Sequence, residues 1–191
     1  LITLMVVEPG LPAKARHTRL VVDRSETPWI SREIPSVGIR NISFAELEFQ
    51  GVEVPIENRI SKPGEALQAF GRGIEASRPF IGLTAVGVAK HALDLATAYT
   101  KDRVAFGRPI AKFQAVQVAL ADAAMEVAAA RLLCLQALWL KDRDAPHSAE
   151  AAMCKWWAPQ LAYDTVHQCL LMHGHGGYDR GPMEQRLRDV L

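Results

Sequence analysis

The stretch ALQAFGRGIEASRPFIGLTAVGVAKHALDLATAYT, Ala66 to Thr100, decides the fold. Its larger apolar residues, Leu67, Phe70, Ile74, Ile81, Leu83, Val86, Val88, Leu93 and Leu95, recur at the 3.6-residue period of a helix, with small residues between them. The change to this period begins at Pro63, and Pro79 is expected to kink or restart the helix, because it lacks an amide and clashes one turn back. Lys112 to Asp142 repeats the pattern through Val116, Leu120, Val127, Leu132, Leu135 and Leu138. A connector at 145–148 leads to a third helix, which Ser148 and Glu150 could begin and which runs to about Met172; a short fourth covers Met183 to Leu191. Long helices joined by short connections predict a bundle. No internal repeat or heptad seam is apparent, and the Ala-rich run ADAAMEVAAAR reads as helix propensity and close packing.

Upstream the period is different. Leu1–Val7 is a continuous apolar run, Thr18–Asp23 is rich in Val and Leu, and Ile42–Val54 alternates, with Phe44, Leu47, Phe49 and Val52 as candidate inward residues. Pro9, Gly10, Pro12, Pro28 and Pro35 punctuate these runs. The expected fold class is α+β, mainly α: a partial β-sandwich or barrel domain over 1–60, then an up-down helical bundle over 61–191.

Composition narrows the function classes. With 49% hydrophobic and 23% charged residues in 191, the chain can bury a real core. A net charge of +1 supplies no field for nucleic acid or an anionic membrane, and no run reaches the roughly 18 apolar residues of a membrane span. Cys134, Cys154 and Cys169 are widely spaced, without a CxxC pair, which predicts buried reduced thiols in a cytoplasmic protein. The start has neither an initiator Met nor a signal peptide, and RLRDVL stops inside a helical pattern, so both ends read as cut. His17, His91, His147 and His167 have no partner pattern, and Trp139, Trp156 and Trp157 read as core or interface anchors.

Two segments carry chemistry. RVAFGRPIAKFQ, Arg103 to Gln114, lies between two helical patterns. A guanidinium there offers a phosphate two parallel charge-assisted hydrogen bonds, Phe106 a flat apolar face, and Gln114 a donor and an acceptor. A solvated Arg beside a helix-breaking turn explains the same residues. In His173-Gly174-His175-Gly176-Gly177-Tyr178, the glycines permit positive φ and close backbone approach, which suits a helix ending against a phosphate or ribose. Its two histidines have no third ligand nearby, so no metal is expected.

These segments, with IPSVGIR, AELEFQGVEVPIENRI and GRGIEASRP, resemble in order the motifs of the acyl-CoA dehydrogenase family, from the end of its middle β-domain through its C-terminal helices. The resemblance implies a flavoenzyme that desaturates acyl-CoA thioesters, forms a dimer or tetramer sharing FAD across the interface, and passes electrons to an acceptor protein in fatty acid metabolism. It implies FAD contacts at Arg103, Phe106, Phe113, Gln114, Leu171, Met172, His173, Gly174 and His175, and acyl-CoA contacts at Glu75, Ala76, Ser77 and Arg78. Arg188-Asp189 matches the pair preceding the family's flavin-side loop; an ordinary helix-surface pair is the plain reading.

The departures are specific. Leu171 replaces the usual Gln, His175 replaces the second Gly of a Gly-Gly pair, and one residue is missing before Pro182. Ser77 occupies the place where some branches carry the catalytic Glu, and a hydroxyl cannot serve as that base. No catalytic residue is therefore assigned, and the bundle is expected to lack its final loop and helix. The alternatives are a non-catalytic subunit of an acyl-CoA dehydrogenase hetero-oligomer and a nucleic-acid-associated relative, against which the near-neutral charge counts.

Overall fold

A computed structural model describes residues 1–13, 15–62 and 64–191; the change of period placed at Pro63 lies outside the described residues. The chain divides into two compact units, Leu1–Ser36 with Arg40–Ile74, and Val37–Ile39 with Glu75–Leu191.

In the first unit, β1 (Ile2–Val7) pairs antiparallel with β2 (His17–Val22), from Ile2 opposite Val22 to Val7 opposite His17. The Val-rich composition suits a pleated, half-buried ladder, and Thr18 and Val22 are its buried members. Arg59 bridges to Leu20 on the far side of β2 and pairs with Glu8, whose carboxylate also accepts the Thr18 hydroxyl. A second ladder joins β3 (Ile30–Glu33) to β4 (Ala45–Glu48). The alternation over Ile42–Val54 thus yields a strand for four residues only. Phe44 is 63% exposed, a correction to its inward assignment: both the Ser43 hydroxyl and the Phe44 amide are drawn to the Glu33 carboxylate at the ladder's open end.

The second unit is helical. α1 (Ala66–Asp102) enters it at Glu75, and α2 (Gln114–Asp142), α3 (Ser148–Met172) and α4 (Pro182–Asp189) complete it. Pro79 does not interrupt α1: it is fully buried inside a continuous helix and withholds only the amide that the Glu75 carbonyl would have received. Pro159 lies likewise within α3. Ser148 is not the cap of α3. It is the first helical residue, the cap position is His147 with no side-chain capping bond, and the Ser148 hydroxyl instead donates to the Glu75 carboxylate.

The core is built from small side chains. Val86 and Ala89 of α1 meet Val127, Ala130, Cys134 and Ala137 of α2 and Cys154, Ala158, Leu161 and Ala162 of α3. A second cluster joins Ala92, Leu93, Ala96, Ala123, Val166, Cys169 and Met183. A Cβ on Gly82 would stand 2.7 Å from the Cys134 sulfur and 3.2 Å from the Cys154 carbonyl oxygen, so the absent side chain sets how closely these helices approach. Of the large residues that defined the helical period, Leu67, Phe70, Ile74, Ile81, Leu132 and Leu135 are exposed.

On α2, Val118, Met125, Leu132 and Trp139 follow one another at seven-residue intervals, and all four are exposed. At 100° per residue they lie opposite the buried Ala123, Val127, Ala130, Cys134 and Ala137. These four residues form an outward apolar stripe along this helix. Trp156 is 81% exposed, and only Trp157 packs against the core. The three cysteines are free and buried. Among the described residues no helix is long and apolar enough to cross a membrane.

Candidate functional site

The end of α1 and the end of α3 together form a cleft of about 450 Å³, lined by Tyr99, Arg103, Ile110, Met172, His173, Gly174, His175 and Gly176. Arg103 is held there through its backbone. Its amide donates to the Tyr99 carbonyl at 2.8 Å, continuing the helical ladder by one residue, and its carbonyl accepts the Ile110 amide at 2.8 Å. Between these bonds the chain turns through a minimal hairpin, β5 (Val104–Ala105) against β6 (Arg108–Pro109). A type I′ two-residue turn needs positive φ at both central positions, and Phe106 and Gly107 stand at 52° and 79°. Gly107 adopts that conformation freely, whereas Phe106 is held there with 96% of its surface exposed.

Past the hairpin, a 3-10 turn at Ile110–Lys112 leads into α2, with Phe113 at the cap position and Gln114 as the first helical residue. Arg108 lies over the Phe113 ring at 4.2 Å, and Phe106 meets the same ring edge-on at 6.2 Å. These three predicted cofactor residues, Phe106, Phe113 and Gln114, do not line the cleft; they sit on the loop and helix start that follow Arg103.

The opposite wall starts where α3 stops. The His173 ring stacks on Tyr99 with centroids 4.4 Å apart and planes 23° from parallel. The Tyr99 hydroxyl donates to the His173 carbonyl at 3.2 Å. His173 Nδ1 lies 2.7 Å from the Cys169 carbonyl oxygen, and because a carbonyl only accepts, Nδ1 carries the proton. Gly174 turns the chain at φ 58°, into the 3-10 turn Gly174–Tyr178. Gly177 is buried, and a Cβ there would overlap the Leu170 carbonyl oxygen, so that position is closed to any larger residue.

Five of the predicted cofactor residues, Arg103, Met172, His173, Gly174 and His175, therefore share one cleft. Leu171 is 55% exposed and outside it. Tyr99, Ile110 and Gly176 also line it: the last two belong to the two segments read from sequence without an assigned contact, and Tyr99 lies outside both. Tyr99 could have been found, since it stands one helical turn before Arg103.

Glu75, Ala76, Ser77 and Arg78 lie together on one turn of α1. At about 1.5 Å per residue, the 21 residues from Arg78 to Tyr99 span roughly 30 Å, so this group and the cleft stand far apart along one rod. Glu75, Ala76 and Arg78 are partly buried, and the Glu75 carboxylate is occupied by Ser148. No carboxylate lines the cleft, whose charged group is the Arg103 guanidinium, so its donor set suits an anion.

A family profile described as "Acyl-CoA dehydrogenase, C-terminal domain" matches residues 67–191. Over 169 residues the chain is 38% identical to a probable acyl-CoA dehydrogenase, YngJ, of Bacillus subtilis, covering 87% of this chain and 44% of that protein. Over 191 residues it is 33% identical to the acryloyl-CoA reductase (NADH) of Anaerotignum propionicum, covering 100% of this chain and 48% of that protein. The solved butyryl-CoA dehydrogenase of Megasphaera elsdenii matches with a TM-score of 0.91 at 28% identity, over 98% of this chain and 49% of that one. The chain thus spans about half the length of the relatives it matches. With the profile covering the whole run from α1 to Leu191, and relatives agreeing in sequence and in fold, the chain belongs to the acyl-CoA dehydrogenase family.

Proposed function

We propose that this chain is part of a flavin-dependent acyl-CoA dehydrogenase, in which it holds FAD at the cleft between α1 and α3 and contributes one wall of the acyl-CoA site at Glu75–Arg78. Residues 1–60 would be the end of the middle β-domain, and 61–191 the C-terminal bundle. The carrying observation is that Arg103 and Met172–His175, 69 positions apart between Arg103 and Met172, meet in one cleft.

The residues present fit the cofactor. A diphosphate matches the planar fork of Arg103 beside a glycine turn at positive φ, and the Tyr99–His173 stack gives a ribose or base a flat neighbour. Phe106, Phe113 and Gln114 would meet the part of the same cofactor that a second subunit presents. Leu171, beside the cleft, would contribute an apolar edge.

FAD supplies, when bound, the electron acceptor for α,β-desaturation of a thioester, a chemistry in which a carboxylate takes the α-proton. What this chain contributes is binding and orientation. Arg78, half-buried on α1, is the cation for the anionic substrate carrier, and Ala76 and Ser77 leave room beside it. Neither Ser77 nor the Ser148-bound Glu75 is assigned as base.

Self-association as a dimer or tetramer is supported by the outward stripe of α2, which is more apolar than a solvated helix face needs to be. An electron-accepting protein partner, a cytoplasmic location and a place in fatty acid metabolism complete the reading. The engaged Glu75 favours one second reading, a non-catalytic subunit that pairs with an active one.

The test is the visible spectrum of the full-length protein while acyl-CoAs are added anaerobically. A yellow protein bleached by one acyl-CoA class supports the dehydrogenase and names its substrate range. A flavin that stays oxidised with every thioester moves the reading to the non-catalytic subunit, and a colourless folded protein sinks the FAD assignment.

A further inference from the structure

Three residues of the β-rich half of the sequence belong to the helical unit. Val37–Ile39 groups with Glu75–Leu191, while Ser36 and Arg40 on either side do not. The tripeptide lies against the C-terminal end of α4. A Cβ on Gly38 would overlap the Arg188 carbonyl oxygen, so only glycine permits the approach. Ile39 has φ of 49°, a conformation that a β-branched side chain strongly resists. It is held there by the close packing of Gly38 on Arg188 and by a latch, the Ile39 amide donating to Asp189 Oδ1 at 2.8 Å.

Asp189 is itself fixed. Its side chain is only 15% exposed, its Oδ1 accepts Gln185 Nε2 at 2.7 Å, and its Oδ2 lies 3.5 Å from Arg186. This is not an ordinary surface pair. The helix that carries it reaches the cleft by packing. Met183 of α4 is buried in the cluster that includes Cys169, against which Leu170, Met172, Leu187 and Val190 are packed. Met172 lines the cleft, and the Leu170 carbonyl is the surface on which Gly177 rests.

We propose that Val37–Ile39 is a strained strap, latched by Asp189, which positions the glycine-rich wall of the cleft through α4. Asp189 is thus a positioning residue, acting on Gly174–Gly177 from a distance. Strain at Ile39 persists because the surrounding contacts over-determine it, and a strained contact of this kind has two discrete states, docked and released. The latch sets which of them the cleft wall experiences. The consequence for cofactor rests on the proposed function; the strap does not.

Hydrogen exchange on the protein, resolved by residue or short peptide, tests this. The Ile39 amide should exchange slowly, and Asp189→Ala should speed exchange at 37–39 and at 174–177 by tenfold or more, leaving the middle of α2 unchanged. Ile39→Gly removes the strain while keeping the amide, so in the Asp189→Ala background it should restore most of the lost protection at 174–177. A merely structural Asp189 would give no such rescue. If Asp189→Ala fails to fold, Ile39→Gly alone decides: it should slow exchange at 37–39, and unchanged or faster exchange there overturns the proposal. An unprotected Ile39 amide in the parent protein, or additive effects in the double variant, overturns it as well. Where the protein binds FAD, its affinity should fall in Asp189→Ala and recover in the double variant. A protein that binds no flavin sinks the functional reading, while the exchange data still decide the strap.

Discussion

Among the described residues no carboxylate pairs with Arg103, one backbone bond on each side fixes its main chain, and its guanidinium faces the cleft proposed to hold FAD. Arg103→Leu should therefore weaken FAD binding by about tenfold to a hundredfold, the range of one charged hydrogen-bond donor, with little change in melting temperature. Titration of the apoprotein with FAD measures it, and a loss of stability as large as the loss of affinity would refute the assignment. Gly82 makes the opposite kind of prediction. Gly82→Ala pushes a methyl toward the Cys134 sulfur and should cost about 1–3 kcal/mol in urea unfolding, partly recovered by adding Cys134→Ala. Neither Gly82 nor Gly177 could be ranked from sequence, because a glycine in a helical pattern reads as a weakness until the neighbour that needs its space is known. Arg103 was legible because its chemistry is local: a cation, an aromatic, a Gly and a Pro in a few positions.

Helix periodicity placed the elements well. The ends expected at Thr100, Asp142 and Met172 stand at Asp102, Asp142 and Met172. It did not say which apolar residues face inward: Val86, Leu93 and Val127 of the period are buried, whereas Leu67, Phe70, Ile74, Ile81, Leu132 and Leu135 are exposed. In α2 the fully buried residues are Ala, Val and Cys, with Leu120 and Leu133 packed beside them, while Met125, Leu132 and Trp139 face away. Close helix approach selects small side chains, and no single-sequence pattern says which of two apolar faces is the inner one. Pro79 was misjudged for a related reason: a missing amide costs one hydrogen bond, and burial in a packed helix outweighs it. Leu132→Asp should leave the helix content and melting temperature of the subunit nearly unchanged while lowering the proposed self-association by about tenfold or more. Light scattering across a dilution series reads this directly, and an assembly indifferent to the charge would remove α2 from the interface.

Over the whole molecule, burial pushes the Cys134 thiol up to about 12 and the Cys169 thiol up to about 11, and it raises that of Cys154. The folded state keeps these protons at a pH where the unfolded chain, with thiols near roughly 8.5, has begun to lose them. Stability from this source is complete below that value and is lost as pH rises toward about 12. Urea midpoints should fall across that window more steeply for the parent protein than for Cys134→Ala, and thiol reagents should label the cysteines only on unfolding. The site at this scale was half legible. Residues 103 and 172–175 could be named from sequence, but their meeting depends on α1 and α3 ending at the same place, and the distance from Glu75–Arg78 depends on α1 continuing unbroken through Pro79.

A core in which Ala and Cys outnumber larger side chains also governs how this protein can vary. Most of its side chains have little left to lose, so truncation is a limited route of change there, while enlarging an Ala or Gly at a close helix contact must push two helices apart. Substitutions there are confined to a narrow band of volumes, and sequence drift is displaced to the outward faces of the same helices, where size is free of the core.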